Sequence, residues 1–280
     1  MQILDLSDSC FEVLPSSIGN MKHLRGIDLS GNFRIQKLPK SICKLQNLQC
    51  LGLRGCEKLK ELPKDIRYMI SLKMLTITTK QKSLPRAWNS LKLLGLFDCG
   101  NLKSLFEILQ GSTSLLRTLV IQSCGGMISL FPALKFLTSL EVLVIQNCEK
   151  LDLIEEEDNQ EGFPTSLRAL CFIELPQLVV MPEWIKRSIK TLQVLLINNC
   201  PNLIAFPEWL PNLESLLRLD ISSCPKLLSL PQAKPCLIAL RSFRIARCSE
   251  LSRRCLPEIG EDWHMVSHAS EIYLDYVRIK

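Results

Sequence analysis

Aliphatic residues recur along the chain in one short pattern, in which positions one, four and six are apolar and position nine is Cys or Asn. Examples are "LRGIDLSGN" from Leu24, "LQCLGLRGC" from Leu48, "LEVLVIQNC" from Leu140 and "LRSFRIARC" from Leu240. The second aliphatic position falls at residues 4, 27, 51, 75, 94, 119, 143, 170, 195, 219 and 243, a period of about 24 residues. The alternation at the centre of each unit predicts a short strand with its aliphatic side chains on one face.

This pattern and period are typical of a leucine-rich repeat, in which a unit cannot bury its apolar face alone and stacks against its neighbours. We therefore predict an α/β solenoid, a leucine-rich-repeat horseshoe with a parallel β-sheet on its concave face and short irregular helical or extended turns on its convex face. Segments such as "LPSSI", "LPKSI" and "LPKDI" supply those turns, with Ile packed inward. We expect a single domain over residues 1–280, with about 11 repeats of about 24 residues and a C-terminal cap from about residue 249. The acidic run "EEEDNQEG", residues 155–162, interrupts this rhythm and is expected to form an exposed loop.

Cysteine dominates the ninth position of the repeat. The chain contains 13 cysteines, an odd number, and those at the ninth position are Cys56, Cys99, Cys124, Cys148, Cys200, Cys224 and Cys248. At this position the side chain turns inward after the strand, where Cys packs as a small buried hydrophobe with a weak donor. Asn32 replaces Cys in one repeat, whereas Lys80 and Leu175 break the pattern, so we expect less regular turns there. One cysteine per rung is explained most simply by reduced thiols in an intracellular protein.

Residues that could carry chemistry are few. The chain has three histidines, His23, His264 and His268, no nucleophile motif and no glycine-rich phosphate loop. A zinc site could combine Cys248 and Cys255 with the two C-terminal histidines, but Cys248 belongs to the buried ladder and the spacing matches no compact finger. We therefore predict a protein that is not an enzyme and has neither a metal nor a cofactor. The chain also contains no run of about 18 apolar residues that would predict a membrane span.

The charge of the chain is unevenly distributed. The formal net charge is +6, with 17 basic and 8 acidic residues in residues 1–105 and 17 basic and 20 acidic residues in the remainder. A basic surface that meets an acidic partner would explain this distribution, and so would ordinary solvated faces. Nucleic acid is not an expected partner, because no aromatic residues interleave with the basic positions.

The concave face is the predicted binding surface, since its side chains lie between the buried leucines. Polar residues in the early repeats give way to apolar residues in the middle repeats and charged residues in the late ones, a pattern that favours contact with a protein. Strand ends that tuck in, or neighbouring side chains that cover them, would also explain the apolar middle. The candidate protein-binding residues are Arg54, Phe97, Val120, Val142, Val144, Ile173, Leu196, Arg218, Asp220 and Arg244.

A second column of residues, directly after the first aliphatic position, is rich in basic side chains. Its basic members are Arg25, Lys73, Lys92, Arg117, Arg168 and Arg241. Stacked repeats would align these side chains into a positive flank along the sheet, which could dock an acidic surface of another domain or simply favour solubility.

Several passages carry a resemblance to a known family. "LPSSIGNMKHLRGIDLSGN" and "LPKSICKLQNLQCLGLRGCEKLKELPKDI" resemble the early repeats of plant disease resistance proteins of the nucleotide-binding, leucine-rich-repeat class. "CSELSRRCLPEIGEDWHMVSHASEIYLD", residues 248–275, resembles the ending of their coiled-coil subgroup. The resemblance implies an intracellular immune receptor in the cytoplasm or the nucleus. Its repeats would recognise a pathogen effector or a host protein and regulate a nucleotide-binding switch domain.

The chain departs from that family in one respect, because it contains no nucleotide-binding module. Met1 falls on the first position of a repeat without a preceding cap, so we expect a C-terminal portion of such a receptor or a truncated relative. The alternative is a free-standing leucine-rich-repeat inhibitor or scaffold protein. An inhibitor of a cell-wall hydrolase would predict a signal peptide, glycosylation sequons and paired capping cysteines, none of which the sequence contains.

Overall fold

The structure is a computed structural model that describes residues 2–86, 88–109, 115–154, 163–231 and 237–280. The chain forms two compact units, Met1–Leu140 and Glu141–Lys280, called here the first and the second unit. None of the helices in these described ranges is long and apolar enough to cross a membrane. The expected loop over residues 155–162 lies outside the described residues, and the single domain over residues 1–280 stays a prediction.

The first unit is a parallel sheet whose strands follow one another in chain order. The strands are β1 (Ile3–Asp5), β2 (Gly26–Asp28), β3 (Cys50–Leu53), β4 (Met74–Ile77), β5 (Leu93–Phe97) and β6 (Thr118–Gln122). The connections contain 3₁₀ turns at Ser16–Asn20, Lys40–Lys44 and Lys64–Tyr68, and the short helices α1 (Phe106–Leu109) and α2 (Phe131–Leu134). The second aliphatic positions of neighbouring repeats pair directly, as in Leu51 with Leu75.

The second unit continues the same design and ends in a hairpin. Its parallel strands are β7 (Val142–Gln146), β8 (Ala169–Ile173), β9 (Val194–Asn198), β10 (Arg218–Ser222), β11 (Ser242–Ala246) and β12 (Glu271–Leu274). The last strand, β13 (Val277–Arg278), pairs antiparallel with β12. The connections contain 3₁₀ turns at Glu183–Ser188 and Leu210–Asn212, and the helices α3 (Ser249–Arg254) and α4 (Trp263–Val266). The predicted α/β solenoid, with a parallel sheet and short irregular turns, is confirmed.

Proline and a large apolar residue organise several of the turns opposite the sheet. Pro fixes an extended approach and lacks the N–H that the first helical residue would leave unpaired. Such prolines directly precede the 3₁₀ turns that begin at Ser16, Lys40, Lys64 and Glu183. The buried side chains that follow within these turns are Ile18, Ile42, Ile66 and Trp184. Each of these four repeats therefore closes its core with one turn instead of a long helix.

The ninth position of the repeat forms a buried ladder of thiols that hydrogen-bond to the backbone. Cys56 donates its S–H to the Leu29 carbonyl at 3.3 Å, and Cys148 donates to the Gln146 carbonyl at 3.4 Å. Asn32 does the same more strongly, because its amide donates to the Leu6 and Leu29 carbonyls at 2.7 and 2.9 Å. All seven ladder cysteines are buried, and none of the 12 described cysteines forms a disulfide. The predicted structural role of the ladder follows directly from these contacts.

The residue before each ladder position adopts a left-handed conformation. It is Gly55 in one early repeat and Asp98 in a later one, with φ of 75° and 53°. The Lys80 repeat differs as expected, because Thr79 is buried there instead and its hydroxyl donates to the Leu59 carbonyl at 3.0 Å. The expectation of an irregular turn at Leu175 is wrong. Glu174 keeps φ at 55°, since Leu175 fills the buried position as an apolar side chain.

The C-terminal passage "GEDW" holds the cap through one buried carboxylate. Asp262 is 0 % exposed and accepts two bonds from the Arg254 guanidinium, at 3.0 Å from Nε and 2.8 Å from Nη2. It also accepts the Leu230 N–H at 2.9 Å, which ties the cap to the preceding repeat. Gly260 is required because a Cβ there would lie 2.3 Å from the Arg254 carbonyl oxygen. The motif that carries the family resemblance therefore has a structural function in this chain.

Candidate protein-binding surface

The side of each sheet that faces away from the ladder, here called the open face, is the face predicted to be concave. Along β7 to β10, every second side chain lies on this face, and all of these side chains are half-buried except that of Asn198, which is exposed. Side chains on neighbouring strands lie in register about 4.8 Å apart and form columns across the sheet. The candidate residues therefore lie in these columns, and the residue types in each column can be compared from strand to strand.

Three successive strands of the second unit carry a continuous apolar surface. Six of its seven members pair directly across β7, β8 and β9, and the seventh, Ile173, lies beside Cys171 on β8. All seven are half-buried, which leaves part of each side chain accessible. We call this surface the apolar strip, and its residues are Val142, Val144, Ala169, Cys171, Ile173, Val194 and Leu196. The strip thus includes four predicted site residues together with Ala169, Cys171 and Val194 from the same strands.

The next strands replace this apolar surface with a charged cluster. Arg218 binds Asp220 through both carboxylate oxygens, with Nε at 3.1 and 3.0 Å and Nη2 at 2.5 Å. The Asp220 carboxylate raises the pKa of Arg218. Arg244 lies next to Asp220 in the same column, and its guanidinium stacks on Tyr273 at 4.6 Å from the ring centroid. The predicted residues Arg218, Asp220 and Arg244 are therefore neighbours at the C-terminal side of the apolar strip.

The first unit places its three predicted residues differently. Arg54 is exposed and Val120 is half-buried, but Phe97 is only 8 % exposed. The Phe97 ring lies against Gly95, where a Cβ would be 2.7 Å from its Cε2 atom. The Arg54 guanidinium covers the ring at 4.3 Å from the centroid. Phe97 thus supports the open face, and Arg54 is the side chain that a partner would meet there.

An apolar column in the first unit was absent from the predicted residues. Cys50 and Met74 are neighbours in this column, with 3.6 Å between their sulfur atoms. Gly26 and Gly52 leave a shallow depression of about 240 Å³ beside them. Met74 directly precedes the second aliphatic position of its repeat, as Val142 does, so the alternation of the sequence already indicated that Met74 lies on the open face. Tyr273 was also missed, although it continues the column of Asp220 and Arg244.

The predicted basic flank is an exposed column in the first unit, whereas in the second unit the rungs of Gln193 and Leu217 separate its two arginines. In the first unit the N–H of Lys92 donates to the Lys73 carbonyl at 2.8 Å, and the N–H of Arg117 donates to the Lys92 carbonyl at 2.9 Å. These three basic residues are therefore stacked on successive rungs, and their side chains and that of Arg25 are exposed. In the second unit Arg168 and Arg241 are also exposed, with Arg168 4.0 Å from Glu141.

The four residues of the candidate zinc site have separate structural contacts. Cys248 donates to the Ala246 carbonyl at 3.4 Å, and burial raises the pKa of Cys255 to about 12. A ring nitrogen of His264 lies 3.0 Å from the Glu261 carbonyl oxygen, and one of His268 lies 3.0 Å from that of Leu237. Within the described ranges, no group of three or more His, Cys, Asp or Glu residues is arranged to hold a metal ion.

The repeat and the parallel sheet define a leucine-rich-repeat solenoid. The model of the family described as "Leucine-rich repeat region" matches residues 1–203, and the chain belongs to this family. No curated protein sequence matches the chain.

The chain is similar to several solved structures. The leucine-rich repeat domain of the type III effector XopL superposes with a TM-score of 0.57 at 24 % identity, over 70 % of this chain and 68 % of that one. A leucine-rich-repeat protein of Leptospira interrogans matches with a TM-score of 0.38 at 20 % identity, over 94 % and 81 % of the two chains. The plant peptide hormone receptor RGFR1, in complex with RGF2, matches with a TM-score of 0.29 at 16 % identity, over 84 % and 61 %. The fold assignment rests on the first of these.

Proposed function

We propose that this chain is a non-catalytic protein-recognition module that binds its partner through the open face. The apolar strip carries the proposal, because seven apolar side chains on three adjacent strands remain partly accessible. Exposed apolar surface of this kind marks protein contacts, and solenoid proteins use their extended sheets for them. The charged cluster beside the strip supplies the polar rim that such interfaces need.

We further propose that the module belongs to an intracellular plant immune receptor, located in the cytoplasm or the nucleus. In this role it recognises a pathogen effector or a host protein and regulates a nucleotide-binding domain. The early "LPxxI" repeats and the closing "GEDW" passage support the proposal by their resemblance to the coiled-coil subgroup of these receptors.

The basic flank is the surface proposed to contact the nucleotide-binding domain. Lys73, Lys92 and Arg117 are exposed on successive rungs, at about 4.8 Å per rung. Three cations at this spacing produce a positive potential that an acidic surface complements. Such a contact weakens with salt, because the Debye length falls from about 30 Å at 0.01 M to about 3 Å at 1 M.

The experiment is co-purification of this chain, at low and at high salt, with a nucleotide-binding domain, if one is encoded upstream in the same locus. We expect binding at low salt that is lost at high salt and lost in Lys73→Glu/Lys92→Glu. The double variant Val144→Glu/Leu196→Glu should retain it, because its substitutions lie on the open face of the other unit. A folded chain that does not bind at either salt concentration would instead favour the free-standing inhibitor or scaffold.

A further inference from the structure

One arginine of the charged cluster beside the apolar strip has a donor that the fold leaves unused. The Nε atom of Arg244 is buried and has no hydrogen-bond partner among the described residues. Its nearest carboxylate is that of Glu271, at 3.8 Å from Nη2, which is beyond hydrogen-bond range. The Ser242 hydroxyl, two residues earlier on β11, is also buried and without a partner in the described structure. Buried donors of this kind are rare in proteins and call for an explanation.

The neighbouring arginine on the same face, Arg218, is paired with a carboxylate. Arg218 places Nε and Nη2 on both oxygens of Asp220, and this pair neutralises both charges. Arg244 instead stacks on the Tyr273 ring, a contact that fixes the guanidinium plane but satisfies none of its N–H groups. Because Nε is buried, a partner can reach only the Nη atoms of this guanidinium, whose side chain is 43 % exposed, and a carboxylate matches their geometry in two parallel bonds.

A small depression lies directly beside this guanidinium. It has a volume of about 260 Å³, and Ser222, Arg244, Ala246, Tyr273 and Tyr276 are among its lining residues. Pockets for small organic ligands usually measure about 300–1,000 Å³, so this depression suits one side chain of a protein partner. Tyrosine and arginine are among the residue types that most often anchor protein interfaces.

The wall formed by Tyr276 depends on a strained turn. Asp275 and Tyr276 connect β12 to β13 with φ of 45° and 69°, which is the conformation of a two-residue type I′ hairpin. Asn-Gly is the usual sequence for this turn, and a bulky side chain at positive φ is a rare exception. Tyr276 is nevertheless held there, 71 % exposed, beside the depression. Strain of this kind often accompanies a functional position.

We propose that the open face of the second unit binds an acidic–apolar peptide segment. A carboxylate side chain of the segment pairs with Arg244, and an adjacent apolar or aromatic side chain enters the depression beside Tyr273 and Tyr276. The rest of the segment lies along the apolar strip, whose Leu196 is two strands from Arg244, about 10 Å away. This inference rests on the proposed function, and it specifies the chemistry of the partner.

The probe is a random peptide library displayed on phage and selected on the full chain, with enriched peptides then synthesised and their Kd measured by fluorescence anisotropy. We expect the enriched peptides to carry Asp or Glu next to a large apolar residue. Arg244→Gln should weaken them about tenfold, as expected for one charge-assisted interaction. Glu271→Gln should tighten them by about threefold, because it removes the carboxylate that competes for Arg244.

Matched controls separate this contact from general effects of charge and folding. Arg241→Gln removes the same charge from the basic flank and should change Kd by less than about twofold. A peptide in which the acidic residue is replaced by its amide should lose affinity for the wild type but lose nothing further in Arg244→Gln. Glu271→Gln keeps the test decisive if Arg244→Gln fails to fold, because a gain of affinity cannot come from unfolding.

The outcomes distinguish this inference from the proposed function. Peptides that lose binding in Val144→Glu/Leu196→Glu but ignore Arg244→Gln and Glu271→Gln would overturn the acidic anchor and leave protein recognition by the strip intact. Peptides that ignore all of these variants would overturn both. Failure of the selection to enrich any peptide would also count against the inference.

Discussion

Removal of the buried charge of Asp262 should detach the C-terminal cap. In Asp262→Asn the side chain keeps its shape, but the amide has one acceptor oxygen for hydrogen bonds where the carboxylate has two. The two Arg254 bonds, at 2.8 and 3.0 Å, and the Leu230 N–H bond, at 2.9 Å, compete for one oxygen. The amide also presents its own N–H₂ group to a guanidinium, so one buried donor stays unpaired.

The magnitude follows from the burial of the two partners. Breaking a fully buried ion pair by removing one partner costs about 3–5 kcal/mol. The Asp262 side chain is fully buried, whereas that of Arg254 is 19 % exposed and also pairs with Glu261, so part of its charge remains compensated. We therefore expect a loss of about 2–4 kcal/mol in the free energy of unfolding of the cap. This is a large fraction of the roughly 5–15 kcal/mol that stabilises a typical domain.

The assay is urea unfolding followed by tryptophan fluorescence, with amide hydrogen exchange to locate the change. Because solenoids can unfold repeat by repeat, exchange at β12 and α4 should accelerate more than exchange at β7 to β9. Glu261→Gln is the matched control, since it removes a 61 % exposed carboxylate from the same arginine and should cost at most about 1 kcal/mol. Equal losses in the two variants would refute the assignment of Asp262 as the anchor of the cap.

Three further predictions concern thiols, alkaline pH and Phe97. In the native chain at pH 8, Cys10 should react rapidly with a thiol reagent, while the eight buried cysteines stay protected until urea is added. Rapid labelling of Cys148 would contradict its buried position in the ladder. Burial raises the pKa of Cys56 to about 11 and that of Cys255 to about 12. Above about pH 8.5 the unfolded thiols lose protons that the folded chain retains, so the free energy of unfolding should fall between pH 8.5 and 11. The fall should have a smaller slope in Cys56→Ala/Cys255→Ala, as measured by urea unfolding at each pH. Phe97→Ala should lower the free energy of unfolding by about 3 kcal/mol in the same assay, because the ring is buried. The control Val120→Ala should lower it by about 1 kcal/mol, because Val120 is half-buried. Equal losses would contradict the buried position of Phe97.

Much of the fold could be predicted from local patterns because each repeat interacts with its immediate neighbours. The LxL alternation located strands as distant as β2 and β11, since side-chain alternation and the need to bury leucines act within a few residues. The ladder cysteines followed from the same spacing. The open-face residues of β7 to β9 were also accessible to this reasoning, because their columns are set by register alone.

The remaining features depend on contacts between rungs that no single repeat specifies. Phe97 is buried because Gly95, which has no side chain, leaves room for its ring, and because Arg54, two rungs away, covers the ring. Tyr273 was missed because 29 residues separate Phe243 from its structural equivalent Ile272, and two helices fill that interval. The function of Asp262 depends on Leu230, 32 residues away, and only the folded cap brings them together.

The strained hairpin connects stability with recognition in one residue. A non-glycine residue at positive φ costs about 1–3 kcal/mol, and Gly adopts that conformation freely. Tyr276→Gly should therefore raise the free energy of unfolding by about 1 kcal/mol, after the loss of the weak stacking of Arg247 on the ring at 5.9 Å. The same change removes one wall of the depression beside Arg244, so the selected peptides should bind more weakly by about tenfold. Urea unfolding and peptide anisotropy on one preparation measure both effects. A variant that is less stable would show that Tyr276 contributes to the packing of the hairpin, and one that binds as tightly as the wild type would show that Tyr276 has no part in recognition.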